Sequence, residues 1–338
     1  MPSKGSVHVA VLFADFPNAN AGWSTETMFS RSIPEAKKYL EEMSYYTLDL
    51  QFKPLNKWLR MSGIHESYSF LSFDEHLRFM REAVTLADPD FDFSEIDSVI
   101  VIAHEKADSF SWSPAFTPAD SYFGISADGN VITNGVTRGV DWTGFSPYVI
   151  AHEMGHTLGL ADLYEIGVPS PQQHANVGNF GIMGLIVPHA GASRYGSMDP
   201  LNGNEMLAWH RWQLGWIEDS EVFCSTSSLS SIEVVPLTEN AGTRMLVVPV
   251  DSSRVIVAEN RISEGYDRNL PIGGILVYSV DTRIDTGRGS IKVQGDYVGD
   301  WPNSSVFLQL GEQITVEGHE ISITSKVGLN YFMEVSTP

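Results

Sequence analysis

His152, Glu153, Met154, Gly155 and His156 stand in a row, and Gly159 and Asp162 follow at intervals of three. Residues four apart on an α-helix share a face, with Cβ atoms about 5–6 Å apart, so the two imidazoles can converge on one ion. Zinc takes imidazole nitrogens at about 2.0–2.1 Å, and a catalytic zinc keeps three protein ligands and one open position. Asp162 is the candidate third ligand, because Gly159 can adopt the positive φ that ends a helix and turns the chain back towards the metal. Glu153 is rotated about 100° from His152 and lies beside such an ion rather than under it. From there it can take a proton from a metal-activated water, orient the hydroxide at a carbonyl and return the proton to a leaving amine. The chemistry expected is peptide-bond hydrolysis, with His152, His156 and Asp162 as metal ligands and Glu153 as general base and acid.

Two histidines and a glutamate at these offsets also occur in unrelated helices, so the flanking residues decide. Ser146 and Pro147 suit an N-cap and a first helical position, and the glycine and the carboxylate stand where a turn and a ligand are needed. Glu165 is a rival ligand that would leave Gly159 and Asp162 without a purpose. Tyr164 could support the metal from outside its ligands, although packing under the helix is the plainer account. His104 follows the best buried-strand candidate and could face the cleft, although a capping or surface histidine is the plainer account. His174, His189, Arg194 and Tyr195, in the loops after the motif, are candidate transition-state donors among which the sequence does not choose.

The segments that must position these residues read as an α/β layer. Val7 to Phe13 is a strand. Ser32 and Glu35 have the spacing of a capping box, with Pro34 in the first turn and Ala36, Tyr39, Leu40 and Met43 on one helical face. Leu48 to Lys53 alternates as a strand does, Ser72 with Glu75 opens a second helix, and Ser98 to Ala103 has the β-branched run of a buried central strand. A hairpin is expected near Asp128-Gly129-Asn130, and Asn204 to Leu214 has helical pattern with Gly215 placed to end it. From about residue 219 the texture becomes short apolar segments, several of them separated by Gly, Asn and Asp turns, as in a β-sandwich. The expectation is α+β: a catalytic domain over 1–218, with a mixed sheet and an active-site helix, then a sandwich-like domain over 219–338.

Bulk properties narrow the function. Lys and Arg total 21 against 42 Asp and Glu, a formal charge of −21, which repels phosphate backbones and argues against nucleic acid as a partner. No apolar run approaches the roughly 20 residues of a membrane span. One cysteine, Cys224, excludes an internal disulfide and leaves the compartment open. The first residues carry no signal-peptide pattern, so the protein is expected to be either cytosolic or a mature domain without its leader and pro-segment.

The stretch from His152 to Asp162, with Leu163-Tyr164 after it, resembles the immune inhibitor A family of secreted metallopeptidases, whose sites are similar to those of the metzincins. The similarity extends to Phe13-Ala14-Asp15-Phe16-Pro17, to Met43-Ser44-Tyr45-Tyr46 and to Ala208–Trp216. It continues through Val257-Ala258-Glu259-Asn260-Arg261 and Gly273–Tyr278. Where that family often has proline before the ligand and aspartate after the tyrosine, this chain has Ala161 and Glu165. The resemblance implies zinc-dependent cleavage of protein or peptide substrates outside the cell, and Asp162 as third ligand. It also implies a methionine turn beneath the metal, for which Asn179–Gly184 with Met183 is the match. The family's acidic cation loops have no clear counterpart. Asp88, Asp90, Asp92 and Asp97 cluster without the glycine of a calcium hand, which favours a solvated loop over a Ca2+ site. Two other readings stand beside this one: a catalytically idle zinc protein whose β domain binds glycan or surface protein, and an intracellular processing peptidase.

Overall fold

The computed structural model describes residues 1–117, 124–140, 146–169, 172–184, 205–268, 270, 272–295 and 304–336. They fall into two compact units, one of Met1–Leu160 and one beginning at Ala161. The change of texture near residue 218 lies inside the second.

In the first unit the strands are β1 (Gly5–Asp15), β2 (Leu48–Arg60), β3 (Ser98–Ala103), β4 (Ala115–Phe116), β5 (Ile125–Ala127), β6 (Asn130–Ile132) and β7 (Gly135–Arg138). Five of them form a sheet in the order β2-β1-β3-β7-β4, parallel except for β4 at one edge. Helix α1 (Thr25–Met43) leads from β1 to one side, and α2 (Phe73–Ala87) leads from β2 back past β1 to β3. Right-handed crossovers running in opposite directions put these helices on opposite faces of the sheet. Phe79, Met80 and Ala83 of α2 share a buried cluster with Ala10, Leu12 and Ala14 of β1 and Val99 and Val101 of β3. The alternate residues Val9, Val11, Phe13, Ile100 and Ile102 are equally buried and face the other way. On that second face α3 (Ser146–Thr157) packs against α1, the Tyr148 ring 6.3 Å from that of Tyr39.

Three elements differ from their sequence patterns. Helix α1 starts at Thr25, eight residues before the capping-box spacing suggests, because the Ser24 hydroxyl already accepts the Thr27 amide at 3.2 Å. Pro34 therefore lies inside the helix, between Ile33 and Ala36, which are buried and hold it to the sheet despite the lost amide. Strand β2 continues past Lys53 through Pro54, tolerated because β2 is an edge strand. Helix α4 covers Ala208–Gln213 and is shorter than its pattern, with Gly215 at φ +74° behind it. The Ser72 cap of α2, the all-buried β3 and the Asp128-Gly129 hairpin are as expected; the hairpin residues have φ +48° and +76°, the left-handed pair a two-residue turn requires.

The second unit contains α4 and two sheets. One has the order β13-β12-β11-β10-β8, from β8 (Val222–Cys224), β10 (Met245–Pro249), β11 (Arg254–Arg261), β12 (Gly274–Asp281) and β13 (Ile291–Val293). The other has the order β14-β15-β16-β9, from β9 (Leu229–Val234), β14 (Gln313–Val316), β15 (His319–Val327) and β16 (Asn330–Ser336). Leu246, Ile256 and Val277 of the first sheet and Val234, Ile321 and Met333 of the second belong to one hydrophobic cluster, so the two sheets share a core. The fold is mixed α+β. Among the described residues no helix is long and apolar enough to cross a membrane.

Candidate metal centre

Helix α3 carries the motif and is buried on most of its circumference: Tyr148, Val149, Ile150, Ala151 and Met154 are all in the core. Glu153 and His156 are its half-exposed residues near the C-terminal end, about 60° apart around the axis, so they open on the same flank. His152 is buried beside them, and the two imidazole centroids are 5.0 Å apart at 84°.

The helix ends as the glycine predicts. Leu160 N–H reaches back to Gly155 O at 3.0 Å, Gly159 N–H donates to His156 O at 2.9 Å, and Gly159 has φ +102°. These paired bonds form a Schellman termination, which satisfies carbonyls left over at the helix end and redirects the chain. The same turn orients a ligand. His156 Nδ1 lies 2.8 Å from Leu160 O, and since a carbonyl can only accept, Nδ1 carries the proton and Nε2 presents its lone pair.

Past the turn, Asp162 joins the two histidines. One ligand atom from each of His152, His156 and Asp162 lies within 4.8 Å of the other two, and this is the one group of three or more His, Cys, Asp or Glu with that property among the described residues. Two imidazoles, one fixed in the ligand tautomer, and one carboxylate make a donor set that suits zinc with a position left for solvent or substrate.

Other candidates do not join the group. Glu165 accepts Asn176 Nδ2 at 3.3 Å. His104 is buried, its Nε2 accepting Gly22 N–H at 2.8 Å, and burial holds its imidazole below the ordinary value. His174 is also buried, with the same effect on its imidazole. Tyr164 is half-buried. His189, Arg194 and Tyr195 lie outside the described residues. Among the four aspartates considered for calcium, Asp90 pairs with Lys57 at 2.6 Å, Asp97 accepts His8 N–H at 2.8 Å, and Asp92 accepts Ser94 N–H at 2.9 Å. They do not converge as ligands.

Within the second unit Met183 is fully buried in a tight turn closed by Gly184 N–H on Gly181 O at 2.9 Å. A Cβ on Gly184 would sit 2.9 Å from Gly178 O and 3.0 Å from Gly181 O, so the close backbone approach requires glycine. Met183 O accepts the amide of Leu163 at 2.8 Å, tying the turn to the residue after Asp162. A buried guanidinium anchors the turn from behind: Arg261 Nη1 donates to Phe180 O and to Glu259 Oε1, both at 3.0 Å, and the same side chain pairs with Asp267. Sequence pattern alone does not find Arg261, Thr286 or Gly287, the last two of which bond the backbone of Asp162 itself. Compared with models of known protein families and with curated proteins, the chain matches none of them.

Proposed function

We propose that the chain is a secreted zinc-dependent endopeptidase, with a metzincin-like catalytic region followed by a sandwich-like β region. The observation that carries this reading is the meeting of His152, His156 and Asp162 with Glu153 beside them on the same helix. The resemblance to the immune inhibitor A family supports it and is the ground for placing the protein outside the cell.

His152 Nε2 or Nδ1, His156 Nε2 and an Asp162 oxygen would hold the ion. Zinc bound there would supply a Lewis acid that polarises a peptide carbonyl and makes water acidic enough to attack near neutral pH. Glu153, half-exposed, takes up the proton that the attacking water gives away and delivers it to the departing amine. The Leu160 carbonyl holds the His156 ring in one tautomer throughout. A purely structural zinc would normally take four protein ligands and have no use for a glutamate base, which weighs against an idle binding protein.

The test is cleavage of casein by the purified protein with and without a chelator. The reading predicts turnover that the chelator abolishes and added zinc restores. Zinc content without turnover would favour the binding protein instead.

A further inference from the structure

Asp162 is the one donor of the three that no helix carries, and its main chain is held by residues far along the sequence. Its amide donates to Thr286 Oγ1 at 2.9 Å across 124 positions, and its carbonyl accepts the amide of Gly287 at 3.0 Å. Four residues on, the Ile166 amide donates to Gly287 O at 3.0 Å. Thr286 and Gly287 lie in the connection between β12 and β13. Gly287 has φ +66°, and a Cβ there would come within 2.2 Å of Ile166 Cδ1 and 2.4 Å of Cγ1, so a side chain there meets both a strained backbone and an exposed Ile166 that has to move aside. A second stitch follows: Asn176 Nδ2 donates to Leu163 O at 3.3 Å while Asn176 O accepts Val293 N–H at 2.8 Å.

Bonding both the N–H and the C=O of one residue fixes the peptide planes on either side of it, and so fixes the direction of its Cα–Cβ bond. We infer that the Thr286-Gly287 turn is a positioning element for the metal site, a clasp that aims the Asp162 carboxylate. The inference rests on the metal centre proposed above. Both clasp residues act through Asp162. Thr286 is exposed, so its hydroxyl can be removed without opening the core.

The test is zinc affinity, measured by competition with a chromophoric chelator on protein whose fold is checked by circular dichroism. Thr286→Val, which loses the acceptor, and Gly287→Ala, which meets Ile166, should each weaken zinc binding about tenfold or more, as loss of an outer support to a ligand does. Thr286→Ser keeps the hydroxyl and should restore the affinity, and Ile166→Ala combined with Gly287→Ala should recover part of it. In an Asp162→Ala background Thr286→Val should have no further effect. Folded Thr286→Val and Gly287→Ala proteins with the parent's zinc affinity would overturn the clasp while leaving the metal centre intact. A parent that binds no zinc would overturn both, and a parent that binds zinc tightly but cleaves nothing would remove the peptidase reading alone.

Discussion

His152 and His156 owe their convergence to a single turn of helix, whereas Asp162 owes its place to a turn 124 residues further along. The first arrangement is local: wherever α3 forms, the two rings face the same way. The second exists only when β12 and β13 have paired and their connecting turn has met the main chain of Asp162. A site assembled in both ways keeps its histidine pair through small disturbances of the fold and loses its carboxylate first.

The largest effect should come from the helical side. Glu153→Gln should lower casein cleavage by about 10²–10⁴-fold, the usual worth of a general base, while zinc content stays that of the parent. A variant that cleaves as fast as the parent would remove Glu153 from the mechanism. On the long-range side, Arg261→Met strands Glu259 and Asp267 in the core and frees Phe180 O. Breaking such a buried group of charges should cost about 3–5 kcal/mol, read as a lowered denaturant midpoint. An unchanged midpoint would mean that the methionine turn needs no anchor.

Acid probes another long-range joint. His76 on α2 lies 2.7 Å from Thr137 on β7, and burial pushes its imidazole down to about 3. The unfolded chain therefore takes up this proton first, near pH 6.5, so stability should fall as pH drops from there, by up to about 1.4 kcal/mol per pH unit. His76→Gln should flatten that slope in urea titrations between pH 6.5 and 4.5; a slope equal to the parent's would exclude His76 as its source. The smallest effect sits where the two regions join. Gly159→Ala meets no neighbouring atom within 4 Å, so it should cost only the backbone strain of φ +102°, about 1–2 kcal/mol, with Gly159→Asn closer to the parent. Equal thermal midpoints for the parent and Gly159→Ala would show that the termination tolerates another conformation.

Legibility in the sequence follows the same division. The cap at Ser72, the buried run of β3, the Asp128-Gly129 hairpin and the glycine that ends α3 all act within a few residues of themselves, and their patterns can be read directly. Helix α1 misleads because its start depends on Ser24 and its passage through Pro34 on burial against the sheet, which outweighs one missing amide. The histidine pair is visible from spacing, and Asp162 from the glycine before it. The support of Asp162 is invisible: nothing about Thr286 or Gly287 in a turn announces a partner 124 positions away. Arg261 likewise sits in an ordinary strand, and its bond to Phe180 O is known only from the fold.

Metal analysis of the purified parent beside Asp162→Ala tests the central claim most directly. The account predicts one zinc per parent chain, and a variant that folds but gives up its zinc to a chelator the parent resists. Stoichiometric zinc held equally well by the Asp162→Ala protein would contradict it.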